Sequence, residues 1–177
     1  MGRPMQKHRT ELLNYIHSGI RLILMISVFG LNAVPLTGAQ SLQQPITGIG
    51  YYAEPGQCTD AEGIGSSYNL TMTGALQGCH YVFIEYSKCL PNGVYMETGT
   101  ETFVGSYGGL FGSFRTTYRF EAKYEDCSAF VGEVVGRCQH PIIQGSGTGV
   151  FEGVTGRIDM KDNVEEVNFP YRGHLFW

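Results

Sequence analysis

A carboxylate that could act as an acid or a base stands at Glu85, within an alternating stretch at residues 79–90. Successive side chains of a strand point to opposite faces. The residues that share the face of Glu85 are Tyr81, Phe83 and Ser87. If that face lines an enclosed space, the carboxyl group is desolvated and becomes a candidate for proton transfer. The other face is about as apolar, with Val82, Ile84 and Tyr86, so the sequence leaves open whether Glu85 points inward or into solvent.

Cysteine and histidine occur together at Cys79-His80 and again at Cys138-Gln139-His140. These four side chains could in principle bind zinc. Structural zinc sites normally use the close spacing of CxxC or HxxxH pairs, which is lacking here. The pattern therefore favours a disulfide with ordinary histidines, and we predict neither a metal ion nor a cofactor.

Two other catalytic patterns fail on their context. Gly145-Ser146-Gly147 is superficially like the nucleophile elbow of a hydrolase, but that elbow requires a helix after the turn, and a strand is predicted here. A phosphate-binding loop requires a Gly-Lys-Ser/Thr ending, which is absent from this segment. No catalytic residue is predicted.

The elements that would position these groups are strands. At residues 114–125 one face carries Phe114, Thr116, Tyr118, Phe120, Ala122 and Tyr124, and the other is charged or polar. Further strands are predicted near 66–77, 79–90, 93–105, 130–140, 148–152, 154–161 and 167–176, with a firm turn at Pro91-Asn92-Gly93. Eight short strands without a helix favour a closed, antiparallel, up-and-down β-barrel. A two-layer sandwich is the alternative.

A glycine-punctuated segment, residues 145–159, indicates two short strands that fold back on each other. Glycine is needed where φ is positive or where another backbone comes close. The glycines expected at its tight corners are Gly147, Gly149, Gly153 and Gly156.

The first residues have the layout of a secretory signal peptide at 1–39: a basic start, an apolar run at residues 22–31, and Thr37-Gly38-Ala39 at the end. A signal anchor and a buried helix are the alternatives. Residues 40–65 are rich in Gly, Pro, Gln and Ser, which indicates a flexible lead-in to a barrel domain at 66–177. The expected location is secreted or periplasmic.

The part after the predicted cleavage site holds 8 Lys and Arg against 15 Asp and Glu. An acidic surface disfavours nucleic acid and anionic membrane as partners, since both require a cationic surface. Nothing in the sequence indicates an oligomeric state.

Five cysteines in this part suit an oxidising compartment. Because successive strands of a meander reverse direction, Cys79 and Cys138 fall at one rim and Cys58, Cys89 and Cys127 at the other. We therefore predict a Cys79–Cys138 disulfide and one further bridge. Asn69-Leu70-Thr71 is a glycosylation acceptor if the source is a eukaryote.

The glycine-rich segment, with Tyr171-Arg172-Gly173 after it, resembles the closing strands of the allene oxide cyclase barrel family, a calycin-like superfamily that also includes dirigent proteins and uncharacterised secreted proteins. The specific part of the resemblance covers residues 137–175, and residues 99–105 and 114–120 look like middle strands of the uncharacterised members. The resemblance implies an eight-stranded antiparallel barrel. The catalytic residues of the cyclases lie outside the matching part, so none is assigned to this chain.

A barrel of eight strands is just wide enough to be filled by side chains or to hold one ligand. We expect a small apolar or aromatic ligand in the lumen. The residues predicted to bind it are Tyr81, Phe83, Glu85, Tyr118 and Phe120. An isomerase or cyclase resembling allene oxide cyclase, and an extracellular structural protein with a filled barrel, are the alternatives.

Overall fold

A computed structural model describes residues 42–177 of the chain. It contains nine strands and a single 3-10 turn at Ala61–Gly63. The strands are β1 (Gln43–Tyr52), β2 (Tyr68–Gly74), β3 (Leu76–Cys89), β4 (Val94–Tyr107), β5 (Leu110–Asp126), β6 (Val131–Pro141), β7 (Thr148–Gly149), β8 (Thr155–Lys161) and β9 (Asn168–Phe176). The predicted signal peptide lies outside the described residues. Within residues 42–177, no helix has the length and apolarity needed to cross a membrane.

The strands close into an eight-stranded antiparallel barrel. Each of β1 to β5 pairs with the strand that follows it, β6 pairs with β8, β8 with β9, and β9 returns to β1. The two-residue β7 pairs only with the start of β5, so it lies outside the closed ring. The predicted up-and-down barrel is therefore confirmed.

The flexible lead-in predicted for residues 40–65 is wrong over its first half. Residues 43–52 form β1, which pairs with β9 from Gln43↔Phe176 to Tyr51↔Asn168 and closes the barrel. The inward positions of β1 include Gly48, against which the ring of Tyr171 packs. Glycine adds nothing to a hydrophobic pattern, so the strand's alternation is hidden in the sequence.

The hairpin predicted in the glycine-rich segment is also wrong. Thr148 and Gly149 pair with Ser113 and Gly112 of β5 rather than with β8. Successive turns follow, in which the amide of Phe151 donates to Thr148 and that of Val154 donates to Phe151. Three of the four glycines predicted at tight corners have positive φ, +57° at Gly149, +75° at Gly153 and +131° at Gly156, and at Gly147 the backbone carbonyl of Phe151 occupies the place of a side chain.

These turns insert Phe151 into one end of the barrel. Its ring centroid lies 5.7 Å from that of Phe103 and 5.0 Å from that of Phe114, and all three side chains are fully buried. Other buried apolar side chains at this end are Ile46, Leu76, Val154, Ile158 and Leu175. This end of the lumen is filled, and the other is available for polar groups.

The predicted Cys79–Cys138 disulfide is wrong. Cys58 is bonded to Cys79 and Cys89 to Cys127, with Cα–Cα distances of 5.4 and 5.7 Å, and Cys138 is a buried free thiol. Strand direction places Cys58 at the rim opposite its true partner Cys79, and it does not distinguish the inner from the outer face of a strand. Cys79 lies on the outer face of β3, because the adjacent His80 points inward, whereas Cys138 lines the lumen.

Candidate ligand cavity

The open half of the lumen is a cavity of about 260 Å³. Seven aromatic rings line it: Tyr52, Tyr68, Tyr95, Phe120, Tyr124, Phe130 and Phe169. Four carboxylates line it as well: Glu97, Glu101, Glu133 and Asp162. Among the described residues, no Lys or Arg side chain takes part in this lining. The cavity is therefore both aromatic and electronegative.

Rings at the mouth contact each other edge to face. Phe130 lies 5.1 Å from Tyr95 and 5.8 Å from Tyr124, measured between ring centroids, and Tyr52 lies 5.0 Å from Phe169. Phe130 has a φ of +53°, in the turn between β5 and β6. A non-glycine residue with positive φ is strained, and such strain concentrates at functional sites. The turn directs an apolar ring over the mouth of the cavity.

Glu97 is a buried carboxylate held by hydroxyl groups. Its side chain is 5 % exposed. Tyr95 and Tyr118 each donate a hydrogen bond of 2.7 Å to it, and the Tyr68 hydroxyl lies 3.5 Å away. Burial, and then the hydrogen bond to Glu97, raise the pKa of Tyr95 to about 12, so this hydroxyl remains a donor at neutral pH. The groups that donate hydrogen bonds to Glu97 are therefore hydroxyls and carry no positive charge.

Asp162 and Glu133 form a second acidic pair near the mouth. Burial raises the pKa of Asp162 to about 8, and the neighbouring Glu133 adds to this effect. Oε1 of Glu133 is buried without a hydrogen-bond partner, while its Oε2 lies 3.3 Å from the Tyr124 hydroxyl. A proton on Asp162 would allow that carboxyl group to donate to Glu133, which explains why one proton is retained by the pair.

The floor of the cavity is a cluster of two histidines and a glutamate from three strands. Oε2 of Glu101, on β4, lies 2.7 Å from Nδ1 of His140 on β6 and 3.1 Å from Nε2 of His80 on β3. The Thr116 hydroxyl donates a 2.5 Å hydrogen bond to the same oxygen. Burial alone would raise the pKa of Glu101, but the Coulombic attraction of His140 and His80, with the hydrogen bond to His140, outweighs it and holds that pKa well below its usual range.

The structure brings together only two of the five predicted ligand-binding residues. Tyr118 and Phe120 face the lumen. Phe83 and Tyr81 lie on the outer face of β3, opposite Val82 and Ile84, which line the cavity.

Tyr81 is buried by a segment outside the barrel rather than by the lumen. Its hydroxyl donates to Asp60 at 2.6 Å, and Gly63 lies against its ring. Glu85 is exposed beside an irregularity in the β3–β4 register between Ile84 and Tyr86. The carboxylates that point into the lumen belong to other strands, with Glu97 and Glu101 on β4 and Glu133 on β6.

The sequence reasoning missed the acidic residues of β4. Burial alternates along this strand, and its buried face carries Tyr95, Glu97, Gly99, Glu101 and Phe103. A face with two glutamates is typical of a solvated surface, so the pattern gives no signal that this face points into the lumen.

Asn69, the predicted glycosylation acceptor, lies on β2, where its Oδ1 accepts a 2.6 Å hydrogen bond from Ser66.

The class that fold and cavity define is an up-and-down barrel with one filled end and one open, acidic, aromatic end. The chain matches no protein-family model, and no curated protein sequence matches it.

Proposed function

We propose that this barrel binds a small molecule with an aromatic or apolar body and a positively charged group, in the open half of its lumen. The observation that carries this proposal is the lining of the 260 Å³ cavity, where rings and carboxylates converge and, among the described residues, no Lys or Arg side chain is present. That volume lies near the lower end of ligand pockets, so one or two rings would fill it.

The rings favour an apolar body. Phe120, Phe169 and the tyrosine rings offer apolar surface inside the lumen, and burial of a ligand's apolar surface contributes about 25 cal/mol per Å². A structural barrel without a ligand has no use for such a space, since protein interiors are normally packed with few voids.

The carboxylates favour a cation. Glu97 is buried, and its nearest donors are neutral hydroxyl groups. Glu133 and Asp162 repel each other when both are ionised. A cationic group near these oxygens would be attracted by them and by the faces of the rings, a cation–π contribution of about 0.5–2 kcal/mol.

The two disulfides, Cys58–Cys79 and Cys89–Cys127, support an extracellular or periplasmic location, because such bonds persist in oxidising compartments. The similarity of residues 137–175 to allene oxide cyclase barrels supports the proposal that this chain is a divergent relative of that family.

Calorimetric titration with three probes of similar shape tests the proposal: phenethylammonium, neutral 2-phenylethanol and anionic 3-phenylpropanoate. The titrations are done with a chelator present. We expect the ammonium to bind at least about tenfold more tightly than the alcohol, and the carboxylate not to bind. Glu97→Gln should reduce this preference. The matched control is Glu85→Gln, which removes an exposed carboxylate outside the barrel and should leave affinity unchanged.

Failure of all three probes to bind would overturn the proposal. Equal affinity for the three probes would overturn the preference for a cation. Thermal unfolding of each variant identifies any that is not folded at the titration temperature.

A further inference from the structure

We propose that His80, Glu101 and His140 bind one first-row divalent metal ion at the floor of the lumen, with an open coordination position facing the cavity. The three proposed ligands are distinct from the aromatic residues at the mouth of the cavity.

The geometry brings three ligand atoms together from three strands. Nε2 of His80 and Nδ1 of His140 lie 3.1 and 2.7 Å from Oε2 of Glu101, and the three ligand atoms all lie within 4.8 Å of one another. Zinc binds imidazole nitrogen and carboxylate oxygen at about 2.0–2.2 Å, which separates neighbouring ligand atoms by about 3–3.5 Å. The two nitrogen–oxygen distances already lie within about half an ångström of this separation. The two imidazoles would have to move toward each other by up to about 1–1.5 Å for one ion to contact all three ligands.

Three of the four ring nitrogens of the two histidines lack an aligned hydrogen-bond partner, the exception being Nδ1 of His140, which contacts Glu101. His80 is 1 % exposed, and neither of its ring nitrogens has an aligned hydrogen-bond partner. Nε2 of His140 also lacks one. Buried polar atoms without partners are uncommon, and a bound ion is one of the accepted explanations. A metal ion on Nε2 of His80 would give this ring a partner.

The surrounding residues orient the ligands. The Thr116 hydroxyl fixes the carboxylate of Glu101 through its 2.5 Å hydrogen bond. The ring of Tyr118 stacks on that of His140, with centroids 6.3 Å apart and planes 21° from parallel. Contacts of this kind hold metal ligands in one orientation and strengthen binding.

The ligand set indicates the kind of metal. Two imidazoles and one carboxylate suit zinc, cobalt, nickel or iron, whereas calcium and magnesium prefer shells of oxygen atoms. Glu101 and His140 line the cavity, so a fourth position would be open to the lumen. Three protein ligands with one open position are typical of sites where a metal ion meets an exchangeable molecule.

The experiment uses the folded barrel with its disulfides intact, stripped with a chelator. The protein is dialysed against Zn²⁺ and analysed by elemental mass spectrometry, and it is separately titrated with Co²⁺ while visible absorption is recorded. We expect about one equivalent of zinc, and the intense visible bands of four- or five-coordinate cobalt. His80→Asn and Glu101→Gln should each bind almost none. The matched control is His174→Gln, which removes an exposed histidine of β9 and should retain the full equivalent.

Wild-type protein that takes up no zinc and gives only the weak bands of six-coordinate cobalt would overturn the proposal. Loss of zinc in His174→Gln with retention in His80→Asn would also overturn it. Circular dichroism checks the fold of each variant, and the wild-type cobalt spectrum decides the question if the variants do not fold. Phenethylammonium binding in the presence of chelator is measured separately, so failure of one proposal leaves the other testable.

Discussion

The hydroxyl of Tyr118 donates a 2.7 Å hydrogen bond to Oε1 of Glu97, from β5 to β4. The strand register places Tyr118 directly opposite Gly99, so its hydroxyl reaches diagonally to the residue two positions before that glycine. Gly99 carries no side chain, and the ring of Tyr118 occupies the space beside it. One tyrosine thus contacts both the carboxylate in the upper cavity and, through its ring, His140 at the floor.

Tyr118→Phe should therefore destabilise the barrel. The substitution keeps the ring and removes one of two 2.7 Å hydrogen bonds to a buried carboxylate. Hydrogen bonds to charged groups contribute about 1.5–3 kcal/mol, so we expect a loss of about 2 kcal/mol in the free energy of unfolding, measured in urea. Tyr86→Phe is the control, because Tyr86 is 55 % exposed. Equal losses in the two variants would show that the hydrogen bond to Glu97 contributes nothing specific.

The stability of the protein should depend on pH through Asp162. Its pKa is about 8 in the folded protein and near 4 in an unfolded chain, so the folded state binds the proton more tightly. The stabilisation from that proton is fully present below pH of about 4 and is lost as pH rises through about 8. The melting temperature should therefore contain a component that falls with rising pH across this interval.

Asp162→Asn should remove that component. The measurement is the difference in melting temperature between the variant and wild type, at pH values from 4 to 9. Glu152→Gln, which changes an exposed carboxylate, is the control and should follow the wild-type profile. A constant difference between Asp162→Asn and wild type at all pH values would contradict the assignment.

Non-reducing peptide mapping should find Cys58 joined to Cys79 and Cys89 joined to Cys127. These pairs are separated by 21 and 38 residues in sequence. In the chain-entropy model, bridges of this size stabilise by roughly 3 and roughly 4 kcal/mol. We expect Cys58→Ser and Cys89→Ser to lower the free energy of unfolding by roughly these amounts.

Cys138 should resist alkylation until the protein unfolds. Its thiol is buried, and burial together with the negative charge of Glu101 raises its pKa, so the reactive thiolate is scarce. Rapid modification by iodoacetamide under native conditions would contradict this. A Cys138-containing disulfide peptide would contradict the pairing.

The barrel class was accessible from sequence because alternation is strong where large side chains mark it, as along β5. The alternation of apolar and polar residues does not reveal the inward face where the inward residues are small, as at Gly48, or charged, as at Glu97 and Glu101. Strand direction likewise gives no information on which face a cysteine lies, and it places Cys58 at the wrong rim, because Cys58 precedes β2 in a segment outside the strands and is bonded to Cys79. The site depends on which face of β3 and β4 points inward, and this is decided by tertiary packing that residue patterns do not record.

Two glycines of the 145–159 segment should differ in their tolerance to valine. Gly153 has a φ of +75° and open space around its Cα, so Gly153→Val incurs only backbone strain, about 1–3 kcal/mol. Gly156 has a φ of +131°, and a side chain there would also meet the backbone carbonyl of His174 on β9. Gly156→Val should thus disturb the β8–β9 pairing and cost more than Gly153→Val.

Glu152→Gln is the reference for this pair, because it alters a neighbouring exposed side chain and leaves the backbone unchanged. The measurement is the free energy of unfolding in urea for the three variants. We expect the loss to be largest for Gly156→Val, intermediate for Gly153→Val and close to zero for Glu152→Gln. Equal stability of both glycine variants and wild type would show that the positive φ values impose no constraint. A larger loss at Gly153 than at Gly156 would show that the close approach of β9 does not determine the outcome.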